Sequence, residues 1–413
     1  MNGWAGWLLL GLLMPVMVFA APPLPRSNAV PVWRQDQIDN EQDPRWLLLQ
    51  QAKRLQQKGQ DAAAADVLER LLMFDPDYPE ALELYQKLLS RFDSLDQSRT
   101  TSESRTRIQS DWQWFRKLSL YLGGGTNLNK APLDDRITLT FPEGDAVLLL
   151  DKKQQPKEGF GLEGSALINA VKPLNYDQAL SLTAQLQQRS TDQTNFTDYT
   201  RFNGSVSWRQ RLNGGDETGI TLFTDILEYD NNERFYMFDL STDYRWRTEQ
   251  ACAPQLGLDW QWQHQKDTPI YDMIYTATAL AVQCYFGSQS YRLIFNTGRE
   301  WAMNDRPGGD QWRFRGLLEQ RWNLNGLVEG DFLNSTIDLT YQRDVNSYSP
   351  WLDKGNPRNM GRLNLSTQYR WPIYRSDSQW WGAIRISWEK QHSNIQLFEY
   401  EAFETWVGIE WVW

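Results

Sequence analysis

The sequence predicts a mainly β fold: a 14-stranded antiparallel transmembrane β-barrel preceded by a small α-helical, tetratricopeptide-like module. Three observations carry that expectation. From about residue 112 the chain breaks into long segments of alternating apolar and polar residues, separated by turns rich in Gly, Asn, Asp and Pro. The number of these segments is even. Finally, 21 Trp, 17 Tyr and 17 Phe occur in a chain of mean hydropathy −0.62, which suits surfaces that are half apolar and half wet.

The amino terminus reads "MNGWAGWLLLGLLMPVMVFAAPPLP". An apolar run from Trp7 to Phe19 followed by Ala20, Ala21 and prolines has the length and flanks of a secretory signal over residues 1–20. No Lys or Arg precedes the run, so a retained anchor is the competing reading, although the run is short for a spanning helix. Residues 21–42 read as a polar, Pro-containing linker.

Residues 43–92 change to helical periodicity. Asp43 can cap a helix and Pro44 suits its first position. Leu48, Ala52 and Leu55 share one face of that helix, and Gly59 closes it. Ala64, Leu68 and Leu71 line a second helix that stops at Asp75-Pro76, and a third runs from Pro79 to about Phe92. Ala52, Gly59, Ala64 and Pro76 resemble the small-residue, turn and stop positions of a tetratricopeptide repeat, which is roughly 34 residues long. One repeat and a lone helix fall short of the about three repeats that stand alone, so the module is expected to lean on something else. A plain helical hairpin is the alternative. Residues 93–111, "DSLDQSRTTSESRTRIQSD", read as a second polar linker.

Residues 112–413 form the barrel. Phe238, Leu240, Thr242, Tyr244 and Trp246 alternate with Asp239, Ser241, Asp243 and Arg245. Leu256, Leu258, Trp260 and Trp262 alternate with Gln255, Gly257, Asp259 and Gln261. A period of two sends one set to each face of a sheet. Soluble sandwiches alternate too, but their strands run to about 5–6 residues. Long alternating strands with aromatic ends fit a barrel in lipid. The strands are expected near 114–126, 158–170, 176–190, 198–211, 217–229, 234–247, 252–265, 273–286, 289–301, 311–323, 332–344, 359–371, 378–391 and 403–413. Long connections such as 127–157, 302–310, 345–358 and 392–402 would face outside. Short ones such as 171–175 and 287–288 would face the periplasm, together with both chain ends and the helices. In the last strand Val407, Ile409, Trp411 and Trp413 share the apolar face.

The register also places the two cysteines. If 252–265 pairs with 273–286, Cys252 falls opposite Cys284, within disulfide reach in an exported protein; free thiols are the alternative. On the inward parity lie Asp225, Asp239, Asp243, Arg245, Asp259, Arg292, Glu319, Arg321, Asp338, Arg370, Arg385, Glu389 and Glu410. Charges of both signs there suit a solvated or salt-bridged lumen, or a polar conduit. A barrel of this size lies between self-filled eight-stranded barrels and open channels of sixteen strands or more.

Signs of catalysis are lacking. His264 sits on the lipid-facing parity and His392 is expected in a loop; no Cys/His cluster has metal spacing and no G-x-S-x-G occurs. Gly123, Gly124 and Gly125 end a strand rather than open a helix, so they are not read as a phosphate loop. Neither an enzyme nor a cofactor is expected. A net charge of −10 argues against a nucleic-acid partner.

"YLGGGTNLNKAP" (Tyr121–Pro132) and "SNIQLFEYEAFETWVGIEW" (Ser393–Trp411) resemble the first strand and loop and the last loop and closing strand of the surface lipoprotein assembly modifiers. The resemblance covers roughly residues 45–92 and 112–413, with a shorter repeat domain than is common in that family. It implies an outer-membrane translocation protein of Gram-negative bacteria, whose partner is a client lipoprotein or secreted protein. The terminal aromatic strand is similar to the signal read by the barrel assembly machinery. Two other functions compete: a polysaccharide-export or diffusion porin, and a membrane-anchored scaffold.

Overall fold

In a computed structural model of the chain the described residues are 44–74, 80–81, 83–88 and 112–413, apart from 176, 193–196, 213, 230–233, 249–250, 287–288, 325–327, 329 and 376–378. The expected signal segment (1–20), both linkers (21–42 and 93–111), Asp43 and Pro76 lie outside them. The strands, in chain order, are β1 (Gln113–Gly125), β2 (Arg136–Phe141), β3 (Gly144–Leu149), β4 (Gly159–Pro173), β5 (Gln178–Thr191), β6 (Tyr199–Arg211), β7 (Glu217–Tyr229) and β8 (Arg234–Arg245). They continue as β9 (Cys252–Gln265), β10 (Met273–Phe286), β11 (Gln289–Ala302), β12 (Gln311–Asn323), β13 (Phe332–Ser347), β14 (Pro357–Arg375), β15 (Gln379–Ser393) and β16 (Tyr400–Val412).

All but β2 and β3 form one closed antiparallel barrel of 14 strands, in the order β1-β16-β15 and onward down to β4. β1 pairs with β16 on one side and with β4 on the other, so no edge is left open. The two faces separate as a period of two requires. On β1, Phe115, Lys117, Ser119 and Tyr121 are buried inside, while Trp114, Leu118, Leu120 and Leu122 are exposed outside. The outer face stays apolar around the wall, with Leu240, Leu258, Leu280, Phe295, Phe314, Ile386 and Ile409 among its exposed residues. A solvent-facing sheet would not tolerate such a belt; hydrocarbon does.

The seam between β1 and β16 depends on glycines that give up their side-chain space. A Cβ on Gly123 would lie 2.7 Å from Trp406 Cα, and one on Gly408 would lie 2.5 Å from the Tyr121 ring. The indole of Trp406 therefore lies across Gly123 and the phenol of Tyr121 across Gly408, and both rings are buried with Ala383 on the inner face. Ring-over-glycine pairing fixes the register of the first and last strands where they close the barrel. The "GGG" of the sequence is thus a packing device.

Three features differ from the sequence expectations. The long connection after β1 contains the β2–β3 hairpin, a two-stranded sheet of its own turning at Pro142-Glu143. Ile137 of β2 packs with Leu352, Ile395 and Phe398 from two other connections at the same barrel end. His392, expected in a loop, lies in β15, because that strand extends to Ser393. At the other end of the wall β14 runs on to Arg375, with a register shift between Pro372 and Tyr374 where the proline cannot donate to the ladder.

Cys252 and Cys284 are directly opposed on β9 and β10 and joined in a disulfide. They lie on the outward face at the end carrying the short turns. Helices α1 (Pro44–Gln57) and α2 (Asp61–Phe74) pack antiparallel around Gly59, whose φ of +71° suits a helix stop. Residues 80–81 and 83–88 are helical as well. Leu49, Ala52, Ala64, Val67, Leu68, Leu71, Ala81 and Leu88 form the module's core, with Leu55 partly buried against it. Leu48 lies in α1, but its side chain falls outside the described residues.

Replacing Trp406 with Ala should remove about 3–5 kcal/mol of stability, the range for a fully buried large aromatic. On unheated gels the fast-migrating folded band should be lost at lower temperature than for the unaltered protein. Leu240→Ala, on the lipid face, should shift that temperature far less.

Candidate functional site

The inward residues of the strands jointly line the barrel interior, and its two sides differ. Along the middle of β5, β6 and β7 the inward positions Ser181, Thr183, Gln185, Gln187, Asn203, Ser205, Ser207 and Thr221 are small or neutral and half-buried, while Arg189, Arg201, Arg209, Glu217 and Asp225 lie inward nearer the strand ends. Ser207 and Thr221 bond to each other (2.8 Å), Gln187 Nε2 donates to Tyr199 Oη (3.0 Å), and Thr183 accepts from Asn169 of β4 (2.9 Å). Their partial exposure means that solvent reaches this wall.

The opposite wall is built from charged layers. Arg370 on β14 donates to Glu410 on β16 at 2.9 Å, and both side chains are almost wholly buried. Tyr121 donates to the same carboxylate, and Gln368 donates to Tyr121 at 2.9 Å. Arg315 meets Asp338 at 3.2 Å, and Arg313 pairs with Glu300, which Arg306 also contacts at 3.1 Å. Two pairs cut across the interior instead of following neighbouring strands. Arg189 on β5 reaches Glu404 on β16 at 2.7 Å, and Arg385 on β15 reaches Glu163 on β4 at 2.8 Å. Each passes over two intervening strands. Trp406 lies beneath them, with the Arg189 guanidinium 4.8 Å and that of Arg385 5.8 Å from its ring centre.

At the end carrying the long loops, "TNLNKAP" turns back into the mouth. Asn127 closes this turn by accepting from the Ala131 amide (2.9 Å) and donating to its carbonyl (2.8 Å). Asn129 accepts from the Lys157 amide (2.8 Å) and donates to the Gln155 carbonyl (3.0 Å), which holds the turn to the approach of β4. The left-handed Lys130 (φ +48°) then sends its ammonium to both oxygens of Glu389 at 3.0 Å. Asn364 and Tyr400 donate to the same carboxylate.

At the opposite mouth the helices meet the barrel. Tyr285, inward on β10, packs against the module's core, and Asn323, inward at the end of β12, donates to Glu80 at 2.9 Å. Lys53 of α1 donates to Glu80 at 2.7 Å. Burial would push the Glu80 carboxyl up, but Lys53, Arg321 and Asn323 outweigh it and hold the group below the usual carboxylate range.

Every charged residue expected inside lies on the inward face. Asp243 meets Arg209 at 3.3 Å, Arg245 meets Glu217 at 3.5 Å, Arg292 meets Glu319 at 3.5 Å, and Asp225 meets Arg201 at 2.8 Å. Arg321 lies 4.1 Å from the Phe332 ring centre, while Asp239 and Asp259 face inward on β8 and β9. Sequence reasoning missed Lys130, Arg189, Glu404, Tyr121 and Trp406. The parity of their strands could have found all of these but Lys130, whose inward turn has no periodic signal. His264 points outward, bonding Asp272 at 2.8 Å beside Trp262 and Tyr236. Among the described residues no group of three or more His, Cys, Asp or Glu could hold a metal ion.

No protein-family model matches the chain, and no curated protein matches it either. Solved barrels are similar to it in structure. An anion-selective porin from Comamonas acidovorans is 10% identical over 74% of this chain and 100% of that one, at a TM-score of 0.39. OprD of Pseudomonas aeruginosa is 11% identical over 76% and 97%, at 0.35. A loop-deleted OmpT, an outer membrane protein of Vibrio cholerae, is 8% identical over 73% and 99%, at 0.36.

Arg370→Leu strands the buried Glu410 carboxylate and should cost about 3–5 kcal/mol, whereas Arg370→Leu with Glu410→Leu should recover most of that loss. The midpoint of urea unfolding in detergent measures both. A depressed carboxyl stabilises its ionised contacts above the ordinary value of about 4.3 and loses them as pH falls through its own lower value. Protease nicking of residues 44–88 should therefore rise as pH drops below about 4. In Glu80→Gln that step should disappear.

Proposed function

We propose that this chain is an outer-membrane barrel whose lumen is a narrow polar conduit for small charged or polar solutes, in the manner of a diffusion porin. The loop end faces outside, and the turn end with its helices lies in the periplasm. One observation carries the reading: a half-exposed band of neutral small residues along the middle of β5 to β7 faces charges that are paired with each other. A passing solute meets alternating fixed charge and hydroxyl or amide dipoles, which can replace part of its hydration. The Arg189–Glu404 and Arg385–Glu163 pairs occupy part of the interior beside β1, β4 and β16. The outward Val407, Ile409, Trp411 and Trp413 of the last strand are the segment offered to the barrel assembly machinery.

A second reading is favoured by the helices seated at the turn-end mouth. A periplasmic module held against a barrel opening suits the delivery of a lipoprotein or secreted client to the surface, the role implied by the resemblance to assembly modifiers. The helices would capture the client and the barrel would guide it.

In planar bilayers the purified chain should give stepwise conductance, and Arg189→Ser with Glu404→Ser should raise the unit step. If both proteins are silent, and loss of the gene removes a neighbouring lipoprotein from the cell surface without lowering its total amount, the second reading replaces the first.

A further inference from the structure

At the loop end of the barrel, five outward cations of the wall pair with acids, and Arg343 among the described residues does not. Arg234 meets Glu228 at 2.8 Å, His264 meets Asp272 at 2.8 Å, Arg299 meets Asp310 at 2.7 Å, Lys390 meets Glu401 at 2.8 Å, and His392 pairs with Glu399. Arg343 on β13 is exposed on that face and has no carboxylate partner among the described residues. Its neighbour Asp344 points inward and is committed to Arg358 at 2.9 Å.

At the headgroup level an outward guanidinium with no carboxylate partner is available to an anion of the membrane surface. The surroundings of Arg343 supply what such an anion needs. On β12 its register partner is Trp312, and on β14 it is Asn359. The Asn359 side-chain oxygen accepts from Tyr341 at 3.4 Å, while its amide nitrogen has no acceptor among the described residues. Beyond Trp312 the register continues to Arg299, whose guanidinium lies 5.4 Å from the Trp312 ring centre and 4.1 Å from that of Trp301. Arg299 is neutralised by Asp310 on its loop side, so its stacking orients Trp312 while the free positive charge remains at Arg343. Trp301, Trp312 and Tyr341 are exposed aromatics of the kind that sit at the headgroup level of a bilayer.

We propose that Arg343, with Asn359 and the Trp312 ring, forms a lipid-facing site for a phosphate on a glycolipid headgroup of the outer leaflet. Arg343 offers a planar fork of donors that matches phosphate oxygens, and Asn359 adds another donor beside it. The tryptophans pack on the sugar and on the first methylenes of the acyl chains. The site sits outside the lumen and is independent of what the barrel passes.

The test uses the full chain, purified in detergent and then exchanged into phosphatidylcholine vesicles that carry bis-phosphorylated lipid A, the same lipid without phosphates, or neither. Vesicles with phosphorylated lipid A should protect the β12–β13 loop end from hydrogen exchange. The dephosphorylated lipid should not. Arg343→Gln should weaken retention of phosphorylated lipid A by at least about tenfold, the size of one charge-assisted contact. Trp312→Ala should weaken it less, and raised salt should weaken binding to the unaltered protein more than to Arg343→Gln. Both variants should keep the fast gel mobility of the folded barrel, since neither residue is buried. Equal retention by Arg343→Gln, or equal binding of the dephosphorylated lipid, overturns the proposal. Displacement of lipid A by millimolar inorganic phosphate overturns the lipid source and makes this a soluble-anion site. None of these readouts depends on conductance, so a silent barrel would leave the result intact.

Discussion

Closure of the sheet on itself is the constraint on which the rest of the molecule depends. In hydrocarbon an unpaired strand edge has no water to satisfy it, so β1 must find both β16 and β4 before the wall is viable. Backbone pairing alone would tolerate a slip along the seam. The rings of Tyr121 and Trp406, seated over Gly408 and Gly123, and the carboxylate of Glu410 between Arg370 and Tyr121 make one register far better than its neighbours. The seam is therefore held from inside the lumen as well as along the wall.

That arrangement explains why the interior is lopsided. Strands β11 to β16 with β1 and β4 carry most of the buried ion pairs, and the middle of β5 to β7 carries hydroxyls and amides, with Arg201–Asp225 a buried pair nearer the ends of β6 and β7. Buried pairs are poor sources of net stability, but breaking one is expensive, so they specify geometry more than they strengthen it. The charged wall thus has two effects at once. It fixes which strands meet, and it sets the width and polarity of the space that remains.

Much of this was legible in the sequence because a period of two is a strong signal when it persists. Leu240, Leu258 and Ile409 on one parity and Asp243, Arg370 and Glu389 on the other mark the two faces wherever the strand continues. The same register places Cys252 opposite Cys284. What stayed hidden has no period. The inward turn of Lys130 depends on two asparagines closing a loop, and the β2–β3 hairpin is supported by Leu352, Ile395 and Phe398, which are far away in sequence. His392 fell on the wrong side of a boundary because β15 outlasts its apolar alternation by a turn of polar residues. The seating of the helices on Tyr285 and Asn323 is likewise a long-range contact that no local pattern announces.

The β2–β3 hairpin has a consequence of its own. Its ladder is made within the pair, its anchorage comes from β2, through Ile137 and a bond from the Thr140 amide to the Trp351 carbonyl (2.8 Å), and every residue of β3 is exposed. Pro142 and Glu143 at its tip touch none of the ladder that closes the wall. Evolution can rewrite such a segment freely, and an engineer can lengthen it, without disturbing strand pairing. Here the molecule separates what the closed wall requires from what it leaves free to vary.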